Sequence, residues 1–298
     1  MQTQVRLKSF AKLNLALNIV GIEKDYHEID SVVTSINLYD WIELKTRQDK
    51  QVFVTMQGKG CAYIPIEDNN AYKAARLFMQ VFETTGADIH IYKNIPVGAG
   101  LGGSSADCAG VLNAMAQAYG IKDKKKLKEL ADSLGSDTGY MLHGGLARLR
   151  GRGEKVQKLN MQGKLFFLLL FPKGGVNTAK CYKKFDSLPQ QEQTDIDKLI
   201  VCLRDMQLKE ATALMKNALQ IPAMAINKNI EPALHMLQNT DALSTLVTGS
   251  GSCVYATFLS YSACRMAQRI CRKIKSKIVI PVKRGYQCIL ETKDKRDK

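Results

Sequence analysis

One stretch, Pro96-Val-Gly-Ala-Gly-Leu-Gly-Gly-Ser-Ser-Ala106, limits what this chain can fold into more than any other. Ile89 and Ile91 alternate with polar residues before it and predict a β-strand, while apolar residues at helical spacing after it predict an α-helix. The glycines between strand and helix allow positive φ angles and close approach of the backbone to a ligand. We expect Ser104 or Ser105 to cap the helix. Because a helix N-terminus has free N–H groups and the positive end of a dipole, the stretch predicts a phosphate-binding loop.

Two other glycine-rich phosphate sites have to be compared with this loop. The chain has no G-x-x-x-x-G-K-[ST] motif, which excludes the P-loop of the common NTPases. Gly98-x-Gly100-x-x-Gly103 does match the dinucleotide fingerprint, but that fingerprint needs an acidic residue about 20 positions later, at the end of a buried strand. The acid nearest that distance is Asp123, inside a lysine-rich run. A dinucleotide site and an ordinary glycine-rich turn remain as alternatives.

The size and cysteine content of the chain narrow its class. Its 298 residues can form one large domain or two of ordinary size. The longest apolar run, 165–171, is much shorter than the roughly 20 residues that span a bilayer, so we expect no membrane insertion, and we see no secretory signal. Eight scattered cysteines form no C-x-x-C motif, which argues against a zinc site and favours a reducing cytoplasm.

The chain is strongly basic, with a formal net charge of +15. The basic residues form short local clusters, at 122–128, 180–184, 269–277 and 293–298, without the interleaved aromatic residues that nucleic-acid stacking surfaces use. We therefore expect a solvated surface that attracts anions in general. Small polyphosphate substrates account for this charge without a nucleic-acid partner.

Polar residues that could bind a ligand or take part in catalysis also occur outside the loop. Leucines alternate with Lys12 and Asn14, which predicts a half-buried strand with these two polar side chains on one face. We interpret Gly21–Ile29 as a turn that carries Tyr26 and His27. Alone, each of these residues has an ordinary structural explanation.

Helices and strands mix along the whole chain. One helix is expected to start at Asn69 or Asn70 and to end at Gly86, and another ends at Gly135. Asp137 then follows as a possible N-cap of a short helix. Strands and helices do not follow a strict βαβ rhythm, so the sequence predicts an α+β fold. We place the domain boundary near 155–160, giving domains 1–158 and 159–298.

The pattern Pro-x-x-x-Gly-Leu-Gly-x-Ser-Ser-Ala resembles the phosphate-binding motif of the GHMP kinases, the superfamily of galactokinase, homoserine kinase, mevalonate kinase and phosphomevalonate kinase. Motifs that resemble a branch of this superfamily acting on a cytidine-diphosphate-linked sugar alcohol span roughly residues 8–260. They are Ala11-Lys-Leu-Asn-Leu15, Tyr26-His27-Glu28, Lys93-Asn-Ile-Pro-Val97, Gly135-Ser-Asp137, Gly151-Arg-Gly-Glu154 and Thr248-Gly-Ser-Gly-Ser252. The resemblance implies a two-domain α+β GHMP kinase fold with the active site in the cleft between the domains.

The resemblance also implies a reaction, the transfer of the γ-phosphoryl group of ATP to an alcohol. Asp137 would be the catalytic base and Lys12 the catalytic lysine. Mg²⁺ would bridge phosphate oxygens, with Ser105 as the nearest side chain. The residues implied for ATP binding are Pro96, Val97, Gly98, Ala99, Gly100, Leu101, Gly102, Gly103, Ser104, Ser105 and Ala106, together with Asn69 and Lys93 near the adenosine. We expect a monomer or a weak homodimer.

Substrate contacts follow from the same resemblance. The residues implied are Asn14, Tyr26, His27, Thr178, Tyr182 and Thr248. Tyr26 and Tyr182 would sandwich the cytosine, and His27 would read its edge. Asn14 and Thr178 would contact the acceptor alcohol.

The chain departs from the pattern of the family in three places. Asp25 stands where the family usually has Gly, Thr138-Gly139 stand where it has Val-Pro, and Asp107 comes one position late after the two serines. Asp25 and Thr138-Gly139 bear on the choice of substrate more than on kinase activity. The alternatives are another GHMP kinase with a small acceptor such as homoserine or mevalonate, and a non-enzymatic anion binder. An aromatic clamp formed by Tyr26, His27 and Tyr182 would distinguish a kinase with a cytidyl substrate from these alternatives, because a small alcohol does not need such a clamp.

Overall fold

The computed structural model describes residues 2–24, 26–58, 68–160, 162–189 and 192–293. Asp25, Cys61 and the end of the charged tail, 294–298, lie outside the described residues. Within them the chain forms two β-sheets with helices packed on both, which confirms the predicted α+β class. We call the part built on the first sheet the first lobe and the part built on the second sheet the second lobe.

A long antiparallel hairpin forms the centre of the first sheet. Strands β1 (Thr3–Glu23) and β2 (Tyr26–Thr46) pair from Gln4 opposite Lys45 to Glu23 opposite Tyr26. Tyr26 and His27 therefore begin a strand, and the wide turn expected at 21–29 is wrong. These residues extend the strands because pairing satisfies their backbone N–H and C=O groups, which in a loop would be left to water.

The remaining strands of the first sheet surround this hairpin. They are β3 (Val52–Gly58), β4 (Ala87–Lys93), β5 (Leu146–Gly151), β6 (Lys155–Lys158), β11 (Pro281–Val282) and β12 (Tyr286–Lys293). The order is β12-β1-β2-β4-β3, and β2 also pairs with β5 and β11 while β6 pairs with β5. The last two strands thus return to the first sheet, so a division at 158/159 does not separate the two sheets.

The second sheet is antiparallel throughout and has the order β10-β7-β9-β8. Its strands are β7 (Phe166–Leu170), β8 (Ser244–Val247), β9 (Val254–Phe258) and β10 (Ser276–Val279). The apolar run 165–171 supplies β7, the buried strand that its composition predicted.

Ten helices lie in the described part of the chain. They are α1 (Asn70–Phe82), α2 (Gly103–Ala118), α3 (Lys124–Leu134), α4 (Thr138–Met141), α5 (Thr178–Asp186), α6 (Ile196–Arg204), α7 (Leu208–Ala213), α8 (Gln220–Ile226), α9 (Ile230–Gln238) and α10 (Tyr261–Ile270). Asn69 caps α1 through its side chain, whereas the helix ends at Glu83 in the left-handed region and not at Gly86. None of these helices combines the length and the apolar character needed to cross a membrane.

Helix α2 is the buried centre of the first lobe. Every residue from Ala106 to Ala116 is buried, and apart from Asp107 and Asn113 these residues are apolar, as expected for a helix enclosed on all sides. The Ser9 hydroxyl donates to the Ala106 carbonyl across 2.5 Å, and a side chain at Gly110 would collide with Ile42. This close packing fixes α2 on β1 and β2 and therefore fixes the position of its N-terminus.

Candidate active site

The N-terminus of α2 follows the glycine loop and has no side-chain cap. Its N-cap is Gly102, with φ +70°, and Ser104 and Ser105 lie inside the first turn. The expected serine cap is therefore wrong. Because the first N–H groups of a helix lack partners within the helix, this end is open to an anionic ligand.

The glycine loop is locked against a second glycine loop of the other lobe. The Gly98 carbonyl accepts the Ser252 N–H at 3.1 Å, and the Ala99 carbonyl accepts the Cys253 N–H at 3.2 Å. A side chain at Gly100, where φ is +74°, would overlap the Thr248 carbonyl. The two lobes thus hold the loop in one conformation by backbone contacts.

Lys12 and Asp137 meet beside this loop. Lys12 Nζ lies 3.5 Å from Asp137 Oδ2, and the backbone N–H of Lys12 donates to the Leu101 carbonyl at 3.0 Å. Asp137 precedes α4, but its side chain makes no capping hydrogen bond, so the alternative role as an N-cap does not apply. A cation and a carboxylate therefore share one position next to the α2 N-terminus.

Asn14 holds the Lys12 ammonium in place. Lys12 Nζ donates to Asn14 Oδ1 at 2.6 Å, and Asn14 Nδ2 donates to the Ser31 hydroxyl at 2.9 Å. That hydroxyl in turn donates to the Ala16 carbonyl. Both Lys12 and Asn14 are buried rather than half exposed, because the second lobe covers this face of β1, as the 2.9 Å bond from the Tyr255 hydroxyl to the Asn14 carbonyl shows.

A buried ionic triad lies under the loop. The Lys93 ammonium bonds to Asp107 Oδ2 at 2.5 Å and to Asp40 Oδ2, and Asp40 Oδ1 accepts the N–H groups of Asn94 and Ile95. Burial raises the pKa of Asp107 to about 8, although Lys93 opposes the shift. Lys93 borders the cavity, but its ammonium is bound to two carboxylates of the protein.

A cavity of about 780 Å³ lies between the lobes and gathers nearly all of the predicted site residues. Those that line it are Lys12, Asn14, Tyr26, His27, Asn69, Lys93, Pro96, Val97, Gly98, Ala99, Gly100, Leu101, Gly102, Gly103, Ser104, Ser105, Asp137, Thr178 and Tyr182. Ala106 and Thr248 are fully buried and are not among the lining residues. Thr248 lies behind Asn14, whose N–H donates to its hydroxyl, and the neighbouring Gly249 and Ser250 reach the cavity in its place.

An aromatic group borders the same cavity. The ring centroids of His27 and Tyr182 are 4.7 Å apart, and His27 Nε2 lies 2.6 Å from Asp186 Oδ1. Burial raises the pKa of Tyr182. Tyr26 is half exposed, and the Arg152 guanidinium lies over its ring, 3.7 Å from the centroid.

The other two predicted contact residues lie on the walls of the cavity. Asn69 sits at the N-terminus of α1, next to Asn70, whose side chain donates to the Ser104 hydroxyl at 2.8 Å. The Thr178 hydroxyl lies 3.0 Å from that of Ser250. These contacts join α1 and α5 to the two glycine loops.

Sequence reasoning assigned no role to four charged residues at or beside this cavity, Asp40, Asp107, Asp186 and Arg152. For Asp186 a signal existed, because it follows Tyr182 by four residues and so lies on the same face of α5. Arg152 lies in the quoted motif Gly151-Arg-Gly-Glu154, whereas Asp40 had no local signal, since its partner Lys93 comes from a distant part of the chain.

This arrangement is that of a small-molecule kinase. The cavity lies between two lobes, the glycine loop leads into an uncapped helix N-terminus, and a lysine–carboxylate pair lies beside that terminus. The chain belongs to the GHMP kinase family. Residues 69–147 match the family model of the GHMP kinases N terminal domain, and residues 199–276 match that of the GHMP kinases C terminal domain.

Similar proteins include two named 4-diphosphocytidyl-2-C-methyl-D-erythritol kinase. The protein of Caldicellulosiruptor saccharolyticus is 33% identical over 89% of this chain and 92% of its own length. That of Clostridium tetani is 33% identical over 92% of this chain and 96% of its own length.

Solved structures share the fold. A crystal structure of 4-(cytidine 5'-diphospho)-2C-methyl-D-erythritol kinase has a TM-score of 0.75 at 24% identity and covers 93% of this chain and 99% of its own. Homoserine kinase from Cytophaga hutchinsonii has a TM-score of 0.77 at 17% identity and covers 96% of this chain and 97% of its own. These likenesses confirm the two-lobed architecture predicted from the sequence.

Proposed function

We propose that this protein transfers the γ-phosphoryl group of ATP to a hydroxyl of 4-diphosphocytidyl-2-C-methyl-D-erythritol, a step of isoprenoid precursor synthesis by the methylerythritol phosphate route. One observation carries the proposal. The Lys12–Asp137 pair, the α2 N-terminus and the aromatic group of Tyr26, His27 and Tyr182 all border one cavity. The names of the similar proteins support the choice of acceptor.

The phosphate end of the proposed reaction depends on positioning and charge. In phosphoryl transfer the transition state is loose, so catalysis consists mainly of alignment and electrostatic stabilisation. The ATP phosphates would bind at the N–H groups that begin α2, where the helix dipole favours negative charge. Lys12 adds a positive charge at the same place, held there by Asn14.

Asp137 is the proposed general base. It is partly exposed to the cavity, and no hydrogen bond to its own helix occupies its carboxylate. It would accept the proton of the acceptor hydroxyl as that oxygen attacks the γ-phosphorus. The Lys12 ammonium, 3.5 Å from Asp137 Oδ2, would offset the negative charge that develops on the transferred phosphoryl group.

Magnesium fits the donors at this position. Mg²⁺ prefers hard oxygen ligands and usually combines one or two protein oxygens with phosphate oxygens and water. Ser105 offers a hydroxyl and Asp137 a carboxylate on the wall of the cavity. Bound there, the ion would neutralise part of the phosphate charge.

The aromatic group is the proposed cytidine site. Cytosine would stack on Tyr26 or Tyr182, because aromatic faces bind the flat faces of bases without regard to sequence. Asp186 accepts from His27 Nε2, so in the neutral imidazole Nδ1 is left as an acceptor. An acceptor matches the exocyclic amine of cytosine, which is a donor.

ATP turnover by the purified protein tests the proposal directly. We expect ADP formation with Mg²⁺ and the diphosphocytidyl alcohol, and a product one phosphate heavier by mass spectrometry. Homoserine and mevalonate at the same concentration serve as controls. Turnover that is the same with and without the diphosphocytidyl alcohol, or faster with either control alcohol, would refute the choice of acceptor.

A further inference from the structure

Arg152 is a basic residue on the wall of the cavity. Arg47 and Arg148 each bind two aspartates, whereas no ion pair to the Arg152 guanidinium occurs among the described residues. Its contact is the ring of Tyr26, 3.7 Å from the centroid. A guanidinium stacked on a ring keeps its N–H donors at its edge, where they remain free to bind a ligand.

The turn that carries Arg152 is well fixed. It joins β5 to β6 and contains Gly151 and Gly153 with φ angles of +68° and +117°. The Arg152 N–H donates to the Glu154 carboxylate at 2.7 Å. A side chain at Gly153 would come within 3.1 Å of the Ser136 carbonyl, so the turn packs against the residue that precedes Asp137. Arg152 is thus adjacent both to the proposed base-stacking ring and to the segment of the proposed catalytic carboxylate.

We propose that Arg152 binds the diphosphate of the acceptor substrate and selects for acceptors that carry one. The inference rests on the proposed function. If the cytosine stacks near Tyr26 and the reacting hydroxyl lies at Asp137, the diphosphate that links them must pass between these two places. Guanidinium groups bind phosphate oxygens with paired, charge-assisted hydrogen bonds, and Arg152 is the arginine of the cavity wall.

Binding of cytidine and CDP tests this role. Titration calorimetry is carried out with a non-hydrolysable ATP analogue in excess, so that CDP does not occupy the ATP site. We expect the wild-type protein to bind CDP more tightly than cytidine, and Arg152→Gln to weaken CDP by about tenfold or more while changing cytidine less than about twofold. Arg152→Lys should keep part of the preference, since it keeps the charge but not the planar pair of donors.

Arg150→Gln is the matched control. Arg150 is exposed on β5, two residues away, and does not line the cavity, so its loss should leave both affinities unchanged. An equal loss of cytidine and CDP binding in Arg152→Gln would mean that Arg152 only supports the Tyr26 ring and would overturn the inference. Unchanged CDP binding would overturn it as well.

The same titrations separate this inference from the proposed function. If the wild-type protein binds neither cytidine nor CDP and does not phosphorylate the diphosphocytidyl alcohol, the proposed function itself fails. If the wild-type protein is active and Arg152→Gln keeps its Michaelis constant for the alcohol, only the role of Arg152 fails. Retained affinity for the ATP analogue in the variant shows that the protein is folded.

Discussion

Asp107 and Lys93 join the first turns of α2 to the end of the strand that leads into the glycine loop, across 2.5 Å. Together with Asp40 they form one ammonium between two carboxylates, with all three side chains almost completely shielded from water. Such a group is costly to bury unless its partners are in place. The triad therefore holds the start of the glycine loop against α2. The position of the loop depends on the charges of these three residues.

Removal of Lys93 should destabilise the protein strongly. Lys93→Met leaves the two buried carboxyl groups without their shared cation, and loss of one partner of a buried ion pair costs about 3–5 kcal/mol. Urea denaturation followed by circular dichroism gives the free energy of unfolding. Lys122→Met, at an exposed position after α2, is the control and should change it by less than about 0.5 kcal/mol.

The triad should also make stability depend on pH. Burial raises the pKa of Asp107 to about 8 from an ordinary value of 3.8, so between these limits the folded state binds more protons than the unfolded state. The free energy of unfolding should therefore fall as the pH rises from about 4 to about 8. Asp107→Asn should flatten this part of the curve, and parallel curves for variant and wild type would contradict the assignment.

Loss of the Asp137 carboxylate should abolish most of the turnover. Asp137→Asn keeps the shape of the side chain but removes the proposed base, which should lower kcat by about 10²–10⁴-fold. Steady-state kinetics with the diphosphocytidyl alcohol measures kcat, and titration with an ATP analogue should show that nucleotide still binds. Asp197→Asn, at an exposed ion pair with Arg148, is a control that should stay active. Near-normal kcat in Asp137→Asn would exclude this carboxylate as the base.

Tyr26 should contribute to binding of the diphosphocytidyl alcohol and not to binding of ATP. Tyr26→Ala removes the exposed ring on which the cytosine is proposed to stack, a contact of about 1–3 kcal/mol per base. The Michaelis constant for the diphosphocytidyl alcohol should rise, while the dissociation constant of ATP stays the same. Tyr92→Ala, at a partly exposed ring of β4 that does not line the cavity, is the control. A parallel loss of ATP affinity would show that Tyr26 is not a separate cytidine contact.

Two glycines with similar backbone angles should respond differently to an added methyl group. Gly100 and Gly120 have φ angles of +74° and +68°, but a side chain at Gly100 would overlap the Thr248 carbonyl whereas that at Gly120 meets open space. Gly120→Ala should cost about 1 kcal/mol of backbone strain. Gly100→Ala should cost more and also weaken ATP, because the interlocked loops must separate. Equal effects of both variants on thermal stability and ATP affinity would contradict the interlock.

The local parts of the site could be predicted from the sequence because they follow from neighbouring residues. The strand, glycine loop and helix around 96–106 are one continuous pattern, and so is the short helix after Asp137. The absence of a serine cap could not be foreseen, because the loop enters the helix through Gly102 in a left-handed conformation, which places Ser104 and Ser105 two and three residues after the N-cap.

The contacts between distant residues needed either the family resemblance or the structure. No spacing rule brings Lys12 to Asp137, and the resemblance alone suggested the pair. From the sequence, Asp107 is only a departure from the family pattern of the glycine loop. In the structure it belongs to the triad with Lys93, because α2 turns its side chain inward. Strand β12 also depends on a distant contact, because its partner strand β1 lies at the other end of the sequence.

That pairing has a consequence for how the protein can be made. Strand β12 adds to the edge of β1, the strand that carries Lys12, although all strands of the second sheet lie between the two in the chain. The first sheet therefore stays incomplete in a nascent chain until the second lobe has been synthesised, and a fragment that stops at residue 158 would expose the edge of β1 to other chains. Two chain passages between the lobes, one near 160 and one at 280, also restrict how far the cleft can open.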